Sequence, residues 1–277
     1  MNAADTLPPL REVIARHRLT ANKSLGQHFI LDLNLTARIA RSAGDLTRGT
    51  TIEIGPGPGG LTRALLAEGA QVIAVEKDER CRGILAELAA AYPGHLEIIE
   101  ADALAVDAAA LGDSPRRIVA NLPYNIGTEL LIRWLQNAAA FESFTLMFQT
   151  EVAARITAPA DTRAYGRLSI LAQWLCETET LFHINPRAFT PAPQVQSTVV
   201  RLTPRTNPIA ARRAALERVT AAAFGQRRKM LRQSLRAVTA DTEGLCRTTG
   251  VDPTARAETL SIEQFCALAN AVDCGQR

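Results

Sequence analysis

The chain contains no CxxC pair: Cys81, Cys176, Cys246, Cys266 and Cys274 are widely spaced and lack the nearby histidines of a zinc site. Their odd number and spacing argue against a disulfide framework, so a reduced, metal-free interior is expected. No stretch approaches the roughly eighteen uninterrupted apolar residues of a membrane-spanning helix. The N-terminus carries Asp5, Arg11, Glu12 and two prolines where a secretion signal needs an apolar run. A cytoplasmic protein without a membrane anchor is the expectation. Internal repeats, low-complexity tracts and a large net charge are also missing: 31 Lys and Arg stand against 28 Asp and Glu, for a formal charge of +3.

At 277 residues and 47% hydrophobic, the chain can build one sizeable core and a smaller domain, and it is too apolar for disorder. The charge is modest but not evenly spread. Between Arg201 and Arg236 there are ten Arg or Lys residues and a single acid, Glu217. Clustered cations on a near-neutral chain suit a polyanion, because phosphate neutralisation depends on local charge density. The competing explanation is an ordinary solvated helix face.

The first clear strand is Thr51 to Ile54, followed by the turn Gly55-Pro56-Gly57-Pro58-Gly59-Gly60 and a helical pattern from Leu61 to Ala67. The unit recurs as a strand over 71–75, a helix over 78–91, a strand over 96–99 leading to Asp102, and a strand over 117–120 leading to Asn121. Such alternation predicts an α/β, Rossmann-like domain with a doubly wound, mostly parallel sheet and ligands at the strand carboxyl ends. Two later strands are expected over 144–149 and 197–202, the second antiparallel at the far end of the sheet. After Pro204 the pattern turns helical over 212–224, 228–237 and 262–271, which predicts a domain over 1–204 and a small helical domain over 205–277.

Gly55, Gly57 and Gly60 fit GxGxxG after a strand, and Glu76 closes the next strand, 21 residues after Gly55, where a ribose-binding acid belongs. Those residues alone suit a nicotinamide cofactor almost equally well. Pro56 and Pro58 separate the readings, since each removes a backbone N–H from a turn that would otherwise cradle a pyrophosphate. S-adenosylmethionine carries no phosphate, and its methionine end needs only close backbone approach. Asp102, flanked by Ala101 and Ala103, can accept from the cofactor's adenine amine; its plainer reading is a helix N-cap.

Asn121-Leu122-Pro123-Tyr124 follows the fourth strand. The lone pair of an adenine exocyclic amine is delocalised into the ring, so methylation requires that nitrogen to be held with its lone pair toward the sulfonium methyl. The Asn121 side-chain oxygen and the Leu122 carbonyl can each accept one N6 hydrogen, and Pro123 stiffens the turn. Tyr124 can stack on a base drawn out of its own stack. The product ammonium is acidic and can lose its proton to water, so no general base is required; His17, His95 and His183 are read as structural. With small Gly127 and Thr128 beside the pocket, nothing in the sequence forbids an amine that already carries one methyl.

With these motifs in place, the chain resembles the KsgA-like family of small-subunit ribosomal RNA adenine N6-dimethyltransferases over essentially its whole length. Further segments carry the resemblance: Lys23-Ser24-Leu25-Gly26-Gln27-His28-Phe29, Gln149 to Ala153, Tyr165 to Ser169, and Phe189-Thr190-Pro191-Ala192-Pro193-Gln194-Val195-Gln196-Ser197. The resemblance implies a class I methyltransferase fold whose N-terminal segment, residues 1–48, caps the cofactor. It adds His28 and Ile30 to the cofactor contacts Gly55, Gly57, Glu76, Asp102 and Asn121. It also makes Phe189 the aromatic on the far side of the target base from Tyr124, and Arg227, Arg228, Lys229 and Arg232 the basic start of an RNA-docking helix. Gln196, where relatives often carry an acid, and Ala188, where an aromatic commonly precedes Phe189, depart from the pattern.

By this resemblance the expected reaction places two methyl groups on each of two adjacent adenines in a hairpin near the 3′ end of small-subunit ribosomal RNA. The expected cofactor is S-adenosyl-L-methionine, the expected partner the small ribosomal subunit or its precursor, and the expected state a monomer. Two rivals remain: a large-subunit adenine methyltransferase of the resistance type, and a ribosome-assembly factor that binds RNA without depending on catalysis.

Overall fold

The computed structural model describes residues 7–22 and 25–274, which leaves Lys23 and Ser24 of the family-like segment outside the described residues. The core is a seven-stranded sheet ordered β4-β3-β2-β5-β6-β9-β7. Its strands are β2 (Thr50–Ile54), β3 (Gln71–Glu76), β4 (Leu96–Glu100), β5 (Arg116–Asn121), β6 (Ser143–Gln149), β7 (Cys176–Ile184) and β9 (Ser197–Pro204). The ladders from β4 through β6 are parallel, and β9 runs antiparallel to β6. Every residue of β2 is buried, Glu53 included, and its β-branched Thr and Ile residues suit a central strand covered on both faces. The first helix is α1 (Leu10–Arg16). Val72, Ala74, Val119, Met147 and Val199 pack on one side with α2 (Leu33–Ser42) and α3 (Gly60–Ala67); α4 (Arg82–Ala91), α5 (Gly127–Trp134) and α6 (Thr150–Thr157) follow along the chain. Asp32 starts α2 by accepting from the backbone N–H groups of Asn34 and Leu35 at 2.9 and 3.3 Å.

The parallel sheet and the antiparallel β9 match the sequence reading. The far edge differs, because β7 and not β9 lies outermost. Its sequence, Cys-Glu-Thr-Glu-Thr-Leu-Phe-His-Ile, is polar and half exposed, as an edge strand tolerates, and gives little apolar signal. A second, two-stranded ladder joins β1 (Phe29–Ile30) to β8 (Phe189–Thr190) with Ile30 opposite Phe189. The N-terminal segment is thereby fastened to a loop some 160 residues away.

Packing divides the chain into two compact units, residues 1–153 with 179–204, and residues 154–178 with 205–277. Residues 154–178, assigned from sequence to the first domain, belong to the second. Inside that unit α7 (Arg167–Leu175) is tied to the chain after the sheet: Arg205 N–H donates to Leu175 O at 2.8 Å and Trp174 Nε1 to Ile209 O at 2.7 Å. Helices α8 (Arg213–Gly225), α9 (Leu231–Ser234), α10 (Thr242–Thr249) and α11 (Ile262–Cys274) complete it. Phe224 stacks on Phe265 at 5.8 Å and meets Tyr165 edge-on at 6.1 Å.

The helix expected over 228–237 shrinks to α9 and a short 3₁₀ turn. The reason is backbone competition: Leu231 and Arg232 donate to Ala255 O and Pro253 O at 2.9 and 3.0 Å, and Met230 bridges Arg256. Arg227, Arg228 and Lys229 therefore occupy a turn rather than a helix start.

Candidate active site

The glycine turn between β2 and α3 holds Gly55, Gly57 and Gly59 at φ of 68, 54 and 80°, a left-handed region open to glycine and strained for side chains with a Cβ. Close approach explains a fourth glycine. A Cβ on Gly60 would lie 2.7 Å from Ile30 O, so β1 can rest on the loop only if residue 60 is bare.

A single cavity at the carboxyl ends of the strands is lined by His28, Ile30, Gly55, Gly57, Glu76, Asp102, Asn121, Leu122 and Tyr124. With Pro123, which also lines it, these are all of the assigned cofactor and tetrapeptide residues. Glu76, at the end of β3, accepts from Gly57 N–H at 2.9 Å through one oxygen and from Asp78 N–H at 2.8 Å through the other. Burial pushes its carboxyl above the usual range, against the pull of those two donors. Asp102 accepts from Lys77 Nζ at 2.7 Å and from Leu104 N–H at 3.0 Å, and the lysine contact holds its carboxyl low. Asp102 thus has the plainer role of capping a 3₁₀ turn, and it also lines the cavity.

The Asn121 Nδ2 donates to His28 O at 3.0 Å, which orients the amide and leaves Oδ1 as its acceptor. Leu122 is buried, and the Tyr124 hydroxyl shares a 2.6 Å hydrogen bond with Ser197 Oγ. Burial raises the Tyr124 phenol above its ordinary value, so it stays neutral at physiological pH. The His28 ring stacks on Tyr124 at 5.4 Å and 29° and places Nδ1 2.8 Å from Pro191 O.

Phe189 is the exception among the residues assigned to the chemistry. Pairing with Ile30 turns its side chain into the core, where it is 4% exposed, and its ring meets only the edge of the site, at His28, 6.5 Å away and 80° tilted. Phe189 is therefore not among the residues that line the cavity beside Tyr124. Gly127 likewise serves packing, since a Cβ there would come within 3.3 Å of both Leu122 Cβ and a Phe148 ring carbon; its smallness gives no room to a methylated amine. Gln196 acts through its backbone, its carbonyl accepting from both the N–H and the hydroxyl of Thr150 at 2.9 Å.

Three contributors escaped the sequence reading. Gln27 Nε2 donates to Asp78 at 2.8 Å, and Arg80 grips the same carboxylate at 2.6 and 2.8 Å, holding it down at about 2. The pair locks the capping segment to the end of β3. Glu53, inside the strand read as Thr51 to Ile54, lines the cavity while 2% exposed; burial pushes it up to about 8, and its Oε2 has no hydrogen-bond partner. The only available signal for Glu53 was an acid inside an otherwise apolar strand.

In the second unit, Arg228, Lys229 and Arg232 are exposed and make no ion pair among the described residues. Arg227 differs. It donates to Thr162 O at 3.0 Å, lies 3.5 Å from Glu258 and sits over the Phe224 ring at 5.9 Å, so its guanidinium holds the unit together. Among the described residues no group of His, Cys, Asp and Glu could hold a metal, and no helix is long and apolar enough to cross a membrane.

Comparison with known proteins adds three kinds of likeness. Residues 18–273 match the model of the family described as ribosomal RNA adenine dimethylase. The chain is 66% identical to the ribosomal RNA small subunit methyltransferase A of Rhodospirillum rubrum, across 97% of this chain and 94% of that protein. It is 65% identical to the protein of the same name from Paramagnetospirillum magneticum, across 96% and 95%. Among solved structures, a dimethyladenosine transferase from Plasmodium falciparum superposes with a TM-score of 0.74 at 22% identity, covering 87% of this chain and 96% of that one. The 23S rRNA methyltransferase ErmE superposes with a TM-score of 0.67 at 28% identity, covering 88% and 99%. The fold is that of the class I methyltransferases, and the chain belongs to the ribosomal RNA adenine dimethylase family.

Proposed function

We propose that the protein transfers methyl groups from S-adenosyl-L-methionine to the N6 amines of two adjacent adenines in a hairpin near the 3′ end of small-subunit ribosomal RNA, giving N6,N6-dimethyladenine during ribosome biogenesis. The observation that carries this reading is the convergence of the glycine turn, Glu76, Asp102 and Asn121 on one cavity. The residues fit the cofactor. Glu76 presents a fixed carboxylate for ribose hydroxyls, the bare glycines admit close approach, and Pro56 and Pro58 withhold donors that a pyrophosphate would need. Asp102 has spare lone pairs on both oxygens for the adenine amine.

When bound, S-adenosylmethionine supplies a methyl group on a sulfonium. The protein's part is orientation. Asn121 Oδ1, set by the hold of His28 O on Nδ2, and the Leu122 carbonyl each accept one N6 hydrogen, so that the lone pair faces the methyl. Tyr124 supports the base by stacking. The proton on the product nitrogen passes to water. Arg228, Lys229 and Arg232 form a phosphate-contacting face on the second unit, and the protein acts as a monomer in the cytoplasm.

The high identity to small subunit methyltransferases supports the small-subunit target, while the ErmE likeness is what a large-subunit enzyme would also give. Incubating undermethylated small subunits and large subunits in parallel with labelled cofactor separates the two. Label on adenine N6 of the small subunit is expected; label confined to the large subunit would overturn the assignment.

A further inference from the structure

Tyr124 reaches its position from the end of β5, yet the group that holds its hydroxyl comes from another strand, 73 residues on. Ser197 is the first residue of β9 and is fully buried, at 0% exposure. It lies opposite Gln149 at the end of β6, and the preceding carbonyl, that of Gln196, takes two hydrogen bonds from Thr150 at 2.9 Å. The next residue, Thr198, is fixed in turn by the Thr150 hydroxyl at 2.9 Å and His183 Nδ1 at 2.8 Å. Ser197 Oγ is therefore placed by the sheet and not by the mobile geometry of a side chain on a loop.

A tyrosine ring used for stacking has two soft side-chain torsions, and a bond at its hydroxyl restrains the swing of the ring at its far end. The 2.6 Å contact to Ser197 is such a restraint. Because burial keeps the phenol neutral, the restraint is a hydrogen bond between two hydroxyls across the working pH range. We propose that Ser197 is a positioning residue for methyl transfer: through the Tyr124 hydroxyl it fixes the ring on which the target adenine stacks, and so sets where N6 lies between Asn121 and the methyl donor. This deepens the methyltransferase reading and rests on Tyr124 as the base platform.

A consequence follows for the second methylation. A monomethylated amine has one hydrogen left for the two acceptors of the tetrapeptide, so the stacked ring carries more of the positioning in that step. Loosening the ring slows the second transfer more than the first.

The test uses the full chain with undermethylated small subunits at saturating cofactor, comparing wild type, Ser197→Ala, Tyr124→Phe and the double variant. Cofactor affinity and thermal midpoint are measured alongside. Each single variant is expected to slow transfer about five- to tenfold, the scale of one lost hydrogen bond. The double variant is expected to be no slower than either single, and all three to accumulate N6-monomethyladenine over the dimethyl product. Products are compared at equal total methyl incorporation, where a general loss of folded protein slows the reaction but leaves the ratio of monomethyl to dimethyl product unchanged. Multiplicative losses in the double variant, or a wild-type product ratio in Ser197→Ala, would overturn the proposal. If Ser197→Ala loses cofactor binding or folds poorly, Tyr124→Phe reads the same bond from its partly exposed end, and wild-type behaviour there also overturns it. Failure of the wild type to label small subunits would instead refute the methyltransferase reading itself.

Discussion

The cavity of the first unit and the basic turn of the second place their charged groups in opposite ways. Around the cavity nearly every polar side chain is already held: Glu76 by two backbone N–H groups, Asp102 by Lys77 and Leu104, Asn121 by His28, Asp78 by Gln27 and Arg80. On the turn, Arg228, Lys229 and Arg232 stand exposed without ion pairs among the described residues. The contrast teaches how each part does its work. Methyl transfer needs groups fixed before the substrate arrives, because catalysis gains from donors and acceptors that need no reorganisation. Phosphate contact needs charge density and tolerates loose side chains, because most of its free energy comes from counterion release.

Asn121→Ala strikes the fixed side of that contrast hardest. Methyl transfer is expected to fall roughly 100-fold or more, with cofactor affinity within a few-fold of wild type, as for loss of one preorganised contact. Single-turnover rates and calorimetric titration check it, and normal turnover would remove Asn121 from the mechanism.

The loose side should respond differently. Replacing Arg228, Lys229 and Arg232 together with alanine is expected to weaken small-subunit binding by at least about tenfold at low salt. It should also lower the slope of log affinity against log salt by roughly two to three, with cofactor affinity unchanged. An unchanged slope would leave those cations as an ordinary solvated face.

Arg227→Ala sharpens the boundary within the basic cluster. Its contacts with Thr162, Glu258 and Phe224 are internal to the second unit. The expected result is a stability loss of roughly 1 to 2 kcal/mol, read as a lowered thermal midpoint and typical of a partly buried hydrogen-bonded cation, with a change in salt slope below that of any exposed neighbour. A full unit of salt slope with no loss of stability would return Arg227 to the docking surface.

The remaining effect falls on stability rather than on methyl transfer and concerns Glu53. Its folded-state carboxyl lies at about 8 against an ordinary 4.5. The folded chain therefore prefers the protonated form, and its stability falls as pH rises from about 4.5 toward about 8. Glu53→Gln is neutral throughout, so its thermal midpoint should decline less over that window and exceed wild type at the alkaline end. Parallel curves for the two proteins would mean Glu53 ionises freely in the fold.

The same contrast decides what the sequence could tell. Gly55, Gly57, Glu76, Asp102 and Asn121 were legible because each closes a parallel strand or the turn after it, and the βα repeat puts all strand ends on one side. The polar edge strand β7 and the ladder between β1 and β8 were not. An edge strand needs no apolar alternation, and a two-residue ladder joining segments some 160 residues apart leaves no local trace. That ladder also sets where Phe189 packs: its aromatic character was visible, but the register that turns it inward is a tertiary fact. Ser197 and Gln27 were present in the quoted segments, yet their roles depend on Tyr124 and Asp78, which only folding brings near. Residues 154–178 joined the wrong domain for a similar reason, since helix packing against 205–277 outweighs chain order.

Division of labour between a preorganised cavity and a loosely held basic surface is tested most directly by Glu76→Ala. Cofactor titration and small-subunit binding are measured on the same preparation. The expected result is loss of measurable S-adenosylmethionine binding and of methyl transfer, with small-subunit affinity and its salt slope retained. Methyl transfer at the wild-type rate would contradict the proposed site.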